Sequence, residues 1–542
     1  MDLSLFSTFV GVSLLVVVVY ISLVYLFSPT YDPREPPVIS SLIPYVGHIL
    51  GLLRYGQRYF EILSARNNLP IYTLQTLNKR TYVVNFADLV TAVERNEKTI
   101  AFFPFVYSLA PRFFDLAPDS RTMDLIRYNI DGKIVGKEGK VGLVHETHKG
   151  MHREMAPGPN LDRMHEAMLG TLAPFLDEWA VEGGWEGELF GWIRPRFTIA
   201  STESIYGKRN PIRLEPELVE AFWDFEKDFT MILLGLYPKY TARKGYAGRR
   251  KLHQGLNGYF NRGDHEYGLG VLKARHDAVT NNGGTTDDVA RFEIGDLIGV
   301  LVNATPTFFW MLLTIYSDAA LLEEIRTEIG ATMTTTTTTT TEPSATGHRK
   351  RKHEIDITVL ETQCPLLLSA YRELLRHRTQ SSSSRWVIRD TILASQYLLK
   401  KDSVLLVPGA LIHADPIWGP DRTEYNPRRF LKPPPSPSAA AAAPPASGAA
   451  KVVHPGAYRA WGGGQTLCPG RFFATTEITG AVAMVLMRFE MEAAGGKWVF
   501  PKVEGNRVAS SIHPPSTDVR VRIRERVGCK GDEWGFIFAE GV

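Results

Sequence analysis

Near its C-terminal end the chain reads Trp461-Gly462-Gly463-Gly464-Gln465-Thr466-Leu467-Cys468-Pro469-Gly470. A thiol set among glycines, just ahead of the apolar-faced run GRFFATTEITGAVAMVLMRFEM, has a definite chemistry. Read as a helix, that run begins at Pro469, which suits a first helical position. The backbone N–H groups and dipole at its start would lower the thiol pKa and favour thiolate, the form that ligates metals. Gly462, Gly463, Gly464 and Gly470 let the backbone approach a large flat ligand and reach positive φ. Taken alone, the stretch is equally well explained as a buried structural cysteine in a glycine-rich turn.

Other residues have chemistry-bearing spacings. In Tyr371-Arg372-Glu373-Leu374-Leu375-Arg376, Glu373 and Arg376 stand one helical turn apart and share a face, a pattern that any exposed helix can carry. The stretch HETHKGMHR holds His148 and His152 at i, i+4, where both can face a metal. A zinc hydrolase of the HExxH type needs Glu directly after its first histidine. Here Lys149 follows His148, and the Glu after His145 begins the wrong spacing. A solvent-facing polar helix segment is the simpler reading of that stretch. Downstream lies Asn426-Pro427-Arg428-Arg429-Phe430.

Positioning such residues takes a large scaffold. The chain has 542 residues, 44% of them hydrophobic, which is ample for a sizeable core. A net charge of +3, with both signs mixed along the chain, gives no reason to expect nucleic acid. The one basic run, His348 to His353, follows a polar tract and reads as a solvated loop. Cys364, Cys468 and Cys529 are too few and too scattered for a disulfide framework and fit a reducing compartment. Asp296–Ile315 is apolar nearly all round and predicts a buried central helix, distorted at Pro306. Leu360–Arg378 predicts another helix, with Pro365 near its first turn, and SVLLVPGAL predicts a strand.

The N-terminus carries no charged residue from Leu3 to Tyr31, longer than the roughly 20 apolar residues of a membrane span. Its early charge is Asp2 rather than a basic n-region, so it reads as an uncleaved anchor. Arg34, Arg54 and Arg58 follow the span, which places the bulk of the protein on the cytosolic side. Pro29, Pro33, Pro36, Pro37 and Pro44 predict a stiff, extended connector. The threonine run Thr334–Thr341 and the stretch Pro433–Ala450 read as surface insertions without order of their own.

The glycine–cysteine run resembles the haem-binding loop of the cytochrome P450 family, aromatic-Gly-x-Gly-x-x-x-Cys-x-Gly, carried here by Trp461, Gly462, Gly464, Cys468 and Gly470. Trp461 stands where Phe is commoner. Two further motifs follow the family's order: Glu373-x-x-Arg376 is similar to its Glu-x-x-Arg helix, and Asn426–Phe430 to its Pro-x-Arg-Phe element, with Arg428 where Glu is frequent. The resemblance spans roughly residues 36 to 526. It implies a mainly α fold with small β-sheets (α+β), preceded by one transmembrane helix. It implies haem b (iron protoporphyrin IX) with Cys468 as the axial thiolate, and a buried Glu373–Arg376–Arg429 network that is structural rather than catalytic. Arg385 matches a position that contacts a haem propionate. The family's Trp-x-x-x-Arg signal is absent, and His148 and His152, or Arg153, stand in its place.

The central helix departs from the family. Most members carry an acid–threonine pair there; Val302 and Asn303 take those places. The Asn…Pro…Phe-Trp pattern resembles sterol 7α- and 12α-hydroxylases and prostacyclin synthase, a subgroup of hydroxylases and one isomerase. Asn303 then either hydrogen-bonds dioxygen or a substrate oxygen, or caps a helix distortion above Pro306; Thr305 and Thr307 are substitute hydroxyls. The implied organisation is an anchor at 1–28, a Pro-rich hinge at 29–51, a haem-thiolate domain at 52–528 with insertions at 332–355 and 433–451, and a tail at 529–542. The implied activity is that of a monooxygenase in the endoplasmic reticulum membrane, single-pass, with its catalytic domain cytosolic. Electrons come from NADPH through NADPH-cytochrome P450 reductase, with cytochrome b5 as a further donor. The substrate is lipophilic (a terpenoid, steroid or polyketide of fungal secondary metabolism), lying against Phe102–Tyr107, Ala304–Phe308 and Ser510–Pro515. An isomerase or dehydratase without net oxygenation, and a non-catalytic haem- or lipid-binding protein, are the alternatives.

Overall fold

The computed structural model of the chain describes residues 31–41, 43, 46–76, 79–132, 141–337, 351–431, 454–505 and 507–538, with a few positions between 11 and 22. The expected anchor at 1–28 lies almost wholly outside the described residues; Leu14, Leu15, Val17, Val18 and Tyr20, which are described, are helical and exposed. Residues 433–451 also lie outside them. The helices that matter for the site are, in chain order, α1 (Leu143–Glu154), α2 (Glu217–Lys227), α3 (Arg243–Asn261), α4 (Gly270–Asn281), α5 (Thr286–Tyr316), α6 (Pro365–Arg378) and α7 (Arg471–Arg488). The strands are β1 (Val38–Ile39), β2 (Ile71–Thr76), β3 (Lys79–Val84), β4 (Ile100–Ala101), β5 (Met333–Thr337), β6 (Arg351–Asp356), β7 (Ser382–Val387), β8 (Ser403–Pro408) and β9 (Glu533–Ile537). The fold is mainly helical with small sheets, as the sequence implies.

Helix α5 is the axis of the core. It starts ten residues ahead of the apolar run, because Thr285 and Asp288 form a capping box. Among the described residues it is the helix long and apolar enough to cross a membrane, yet 83% of that window is buried inside the protein. Its all-round hydrophobicity is therefore that of a core helix. Pro306 lies within it and has no N–H to give the Val302 carbonyl four residues earlier.

Two expected helices have different bounds. The 360–378 segment is a short turn, Leu360–Gln363, followed by α6, because Cys364 sits before a proline and leaves the α region at φ −116°, ψ 64°. Helix α7 begins at Arg471 with Gly470 as its cap, so Pro469 stands just outside it.

The largest sheet has the order β1-β2-β3-β8-β7-β4. Strand β8 runs parallel to β3 and antiparallel to β7, and the pairing Leu405↔Arg385 fixes the register of the arginine. The expected hinge at 29–51 belongs to this body from Glu35 onward. Strand β1 pairs with Thr73 and Leu74, the Thr73 hydroxyl donates to the Pro36 carbonyl (2.8 Å), and buried Glu35 takes Tyr82 Oη–H (3.0 Å) and Arg80 (2.9 Å). Prolines exclude helix but leave extended backbone that can pair at a sheet edge.

The segments expected as an insertion at 332–355 and a tail at 529–542 also contain order. Strand β5, with four residues of the threonine run, pairs antiparallel with β6, and β6 pairs parallel with β9. Threonine is β-branched and suits a strand once a partner supplies hydrogen bonds. The basic run expected as a solvated loop ends inside β6. There His353 is buried against Trp534 and bridges Thr335 Oγ1 (3.0 Å) and Asp532 Oδ2 (3.0 Å).

Candidate functional site

Cys468 closes a tight loop. Its N–H donates to the Trp461 carbonyl (2.8 Å), and its own carbonyl accepts from the Arg471 guanidinium (3.0 Å). Gly462 holds φ 72°, and a Cβ there would stand 2.2 Å from the Thr466 carbonyl oxygen, so the loop closes only on glycine. At Gly470 a side chain would be crowded: a Cβ would stand 3.2 Å from Met155 Cε and 3.9 Å from Cys468 Sγ. Gly464 turns the backbone at φ 54°, and the half-buried Trp461 ring lies 6.5 Å from Tyr371.

The thiol departs from the expected low pKa. Burial pushes Cys468 up, against the Gly470 N–H and Arg471, which pull it down. The helix begins three residues on, and its field does not outweigh desolvation in the free chain. A metal cation at the sulfur reverses that balance, since a coordinating thiol is deprotonated outright.

Behind the loop, fully buried Glu373 accepts from Arg376 Nε (2.7 Å) and Nη2 (2.8 Å), Arg429 Nε (3.0 Å) and the Asn426 N–H (3.0 Å). Arg376 also donates to the carbonyls of His413 (2.7 Å), Arg422 (2.8 Å) and Glu424 (3.1 Å). Arg429 reaches Asp421 (3.0 Å) and the Trp418 carbonyl (3.1 Å). So many satisfied donors make burial of three charges tolerable. Buried His413, pushed down to about 3 by burial and then by Arg376, stays neutral, and its Nε2 accepts the Arg459 N–H (2.7 Å). That bond ties the charge network to the segment entering the cysteine loop.

Arg385 on β7 is buried beside the same loop. Its guanidinium donates only to neutral oxygens: Ser383 Oγ (2.7 Å), Thr466 Oγ1 (3.0 Å) and the Gly463 carbonyl (3.3 Å). Burial, helped by Arg459, pushes it down to about 10. Arg459, by contrast, is paired with Glu94 (2.6 Å). A buried cation at the loop that holds no carboxylate among the described residues is what an anionic ligand group would complete. His148 and His152 on α1 lie against each other (4.5 Å between rings), His148 edge-on to Phe103 (5.4 Å) and His152 hydrogen-bonded to the Leu467 backbone. His148 is pushed down to about 4 by burial, with His152 and His145 adding to it. In the free chain it is a neutral hydrogen-bonding group rather than the cation its position suggested.

On α5, Asn303 is part-exposed, and its Oδ1 accepts the N–H groups of Ser511 (2.6 Å) and Ile512 (3.2 Å). Thr307 is buried and spends its hydroxyl on the Asn303 carbonyl (2.6 Å). Thr305 is buried with no partner for its hydroxyl among the described residues. Both hydroxyls are buried, and that of Thr307 is already committed to the helix backbone. Phe308 is fully buried and stacks on Phe197 (5.3 Å) in the core. Motif reading missed the roles of Arg459, His413 and Thr466; Trp310, the last residue of the Asn…Pro…Phe-Trp pattern, donates to the His513 carbonyl (2.9 Å) under the Arg378 guanidinium at 3.6 Å. For Arg459 the one available signal is its place two residues before Trp461.

A family model described as Cytochrome P450 matches residues 271–520. Cytochrome P450 monooxygenase nodJ of Hypoxylon pulicicidum is 35% identical over 517 residues, 94% of this chain and 93% of that protein. The chain belongs to the cytochrome P450 family. Relatives of this P450 include the 5-beta-cholestane-3-alpha,7-alpha-diol 12-alpha-hydroxylase of Sus scrofa, 24% identical over 536 residues, 96% of this chain and 99% of that one. The solved structure of retinoic acid bound cyanobacterial CYP120A1 superposes with a TM-score of 0.65 at 17% identity, covering 92% of this P450 and all of its own chain. Family membership makes this P450 a monooxygenase of the haem-iron type. The residues present fit haem: a sulfur donor at Cys468 on a loop closed by Gly462, and in Arg385 a buried guanidinium that holds no carboxylate among the described residues.

Proposed function

We propose that this P450 is a membrane-anchored haem-thiolate monooxygenase that oxidises a lipophilic fungal secondary metabolite, a terpenoid, steroid or polyketide. It would draw electrons from NADPH through NADPH-cytochrome P450 reductase, with cytochrome b5 as a further donor. The observation that carries the reading is the cradle at Cys468, where a glycine-closed loop, a half-buried cysteine and the anion-short Arg385 converge. Cys468 would hold the iron, and Arg385, His148 and His152 would hold the propionates. Glu373, Arg376 and Arg429 brace the loop from behind through His413 and Arg459. When bound, haem supplies the dioxygen activation that no amino acid side chain provides. The chain's own part is to keep the sulfur dry, to fix the loop and to pose the substrate. Residues 1–28 would anchor the protein in the endoplasmic reticulum membrane, with the rest cytosolic. Exposed apolar residues on the body, Ile43, Val46, Leu50 and Leu53 after β1, suit a surface held at a bilayer.

The test is direct. Reduced, CO-treated protein should show the absorption band after which the family is named, and Cys468→Ala should abolish it. Co-expression with the reductase in a host fed candidate intermediates should give a product heavier by one oxygen atom. A second reading, isomerase or dehydratase chemistry without net oxygenation, is favoured by Val302 in the acid's place and by the buried hydroxyls of Thr305 and Thr307. Turnover without NADPH and reductase would select it.

A further inference from the structure

Asn303 is oriented more tightly than its sequence position reveals. A side-chain amide has an acceptor end and a donor end, and a neighbour decides which way it points. Here two backbone N–H groups, Ser511 at 2.6 Å and Ile512 at 3.2 Å, converge on one end. Only the oxygen can accept them, so Oδ1 is held at the turn and Nδ2, with its two N–H groups, is turned away from it.

The turn that sets this orientation is itself braced. The Gln380 N–H donates to the Ser511 carbonyl (2.8 Å), the Ser381 hydroxyl donates to Ser511 Oγ (2.9 Å), Thr379 and Ile512 pair as a bridge, and Trp310 holds the next carbonyl, that of His513 (2.9 Å). Asn303 is therefore clamped between a core helix and a fixed turn. Its Nδ2 has no partner among the described residues. One helical turn earlier on the same face, Gly299 is exposed, and a Cβ placed there would meet nothing within 4 Å. The free donor thus lies one turn from an exposed glycine, on a face of the helix that borders open space.

A clamped amide cannot act as the missing acid–threonine pair. Its oxygen is already occupied, and its nitrogen donates hydrogen bonds without giving up a proton. What it can do is recognise an oxygen acceptor.

We infer that Asn303 is a substrate-binding residue whose Nδ2 donates a hydrogen bond to a carbonyl or hydroxyl oxygen of an already oxygenated lipophile, with Ser511 and Ile512 as its positioning elements. This rests on the monooxygenase reading above and narrows its substrate class. It also places the reaction in order: the substrate must come from a step that has already installed a ketone or alcohol, so this enzyme does not make the first oxygenation of a bare hydrocarbon skeleton.

The test uses matched probes on the haem-loaded, full-length protein. Terpenoid, steroid and polyketide-type ketones, each paired with its deoxygenated parent, are titrated while the haem absorbance shift is followed. Wild type should bind at least one ketone about tenfold or more tightly than its parent, the ratio expected when one buried hydrogen bond is made or left unmade. Asn303→Leu, which keeps the bulk and loses the donor, should bring that ratio close to one while leaving the parent's affinity within about threefold. Asn303→Ala serves if the leucine variant does not fold, because the ratio compares two ligands on one protein and cancels general damage. A wild type with no preference for the ketones, or a preference that survives in both variants, overturns the inference. A change confined to the CO stretching frequency of the reduced protein also overturns it, since the donor would then serve the gas ligand and not the substrate. Loss of the reduced-CO band in wild type would instead sink the P450 reading, so the two failures are distinguishable.

Discussion

Glu373→Gln should be the most damaging conservative substitution in the charge network, and the structure says by how much. Glu373 is fully buried and accepts four hydrogen bonds, three of them from guanidinium groups at 2.7–3.0 Å. Glutamine keeps the shape but removes the negative charge and turns one acceptor into a donor facing Arg376. Arg429 retains Asp421 at 3.0 Å, whereas Arg376 is left with the carbonyls of His413, Arg422 and Glu424 and no anion. Breaking a buried pair by removing one partner costs about 3–5 kcal/mol. Against a typical domain stability of about 5–15 kcal/mol, that lowers the folded-to-unfolded ratio by two to three orders of magnitude or more. Urea unfolding of the full-length protein in detergent, followed by far-UV circular dichroism, measures the loss directly. Glu373→Leu combined with Arg376→Leu should cost less than the sum of the single changes by more than about 1 kcal/mol, because the double change leaves one lone charge fewer. A loss below about 1 kcal/mol for Glu373→Gln, or strict additivity in the double variant, would refute the claim that mutual charge satisfaction makes this burial tolerable.

Four further outcomes are expected. Gly462→Val should prevent stable loading, read as haem per polypeptide after purification, because φ 72° and a 2.2 Å approach to the Thr466 carbonyl exclude a side chain. Arg385→Met should speed haem loss to apomyoglobin several-fold while keeping the thiolate spectrum, since the residue lies beside the loop and not on the sulfur. Pro306→Ala should raise thermal stability, by up to about 3 kcal/mol, by returning a donor to the Val302 carbonyl. His165→Phe should become more stable relative to wild type as pH falls. Burial pushes His165 down to about 4, so between its ordinary value near 6.5 and about 4 the unfolded chain binds the extra proton and wild-type stability declines by up to about 3 kcal/mol. Urea midpoints of the two proteins at pH 7 and pH 4.5 would expose the difference, and parallel pH curves would contradict it.

What could be read from the sequence was chemistry carried by local spacing. The cysteine loop spans ten residues, Glu373 and Arg376 are one turn apart, and a run that is apolar on every side can only be a core helix or a span. What could not be read were partners far along the chain. Arg459 meets Glu94 across 365 positions, and Asn303 meets Ser511 across 208. No periodicity announces such pairs, because they depend on where the fold brings two segments together. The thiol was misjudged because a helix terminus was weighed without the desolvation that comes with burying the sulfur. The first half of the threonine run, Thr334–Thr337, is a strand that composition did not foretell, because composition counts apolar surface and is blind to backbone hydrogen bonds supplied by another strand.

That last sheet has a consequence for how the protein is made. Strand β6 lies between β5, its near neighbour in sequence, and β9, whose junction is marked by the Arg351–Asp532 pair, 181 positions apart. Synthesis runs from the N-terminal end, so β6 and β5 are made long before residues 533–537 exist to cover the other edge of β6. Arg351 and Lys352 put charge at its leading end, the kind of residue that discourages an open edge from pairing with other chains. Strand β9 is a clasp made after the cysteine loop, and a chain cut short before residue 533 would carry that loop without this seal.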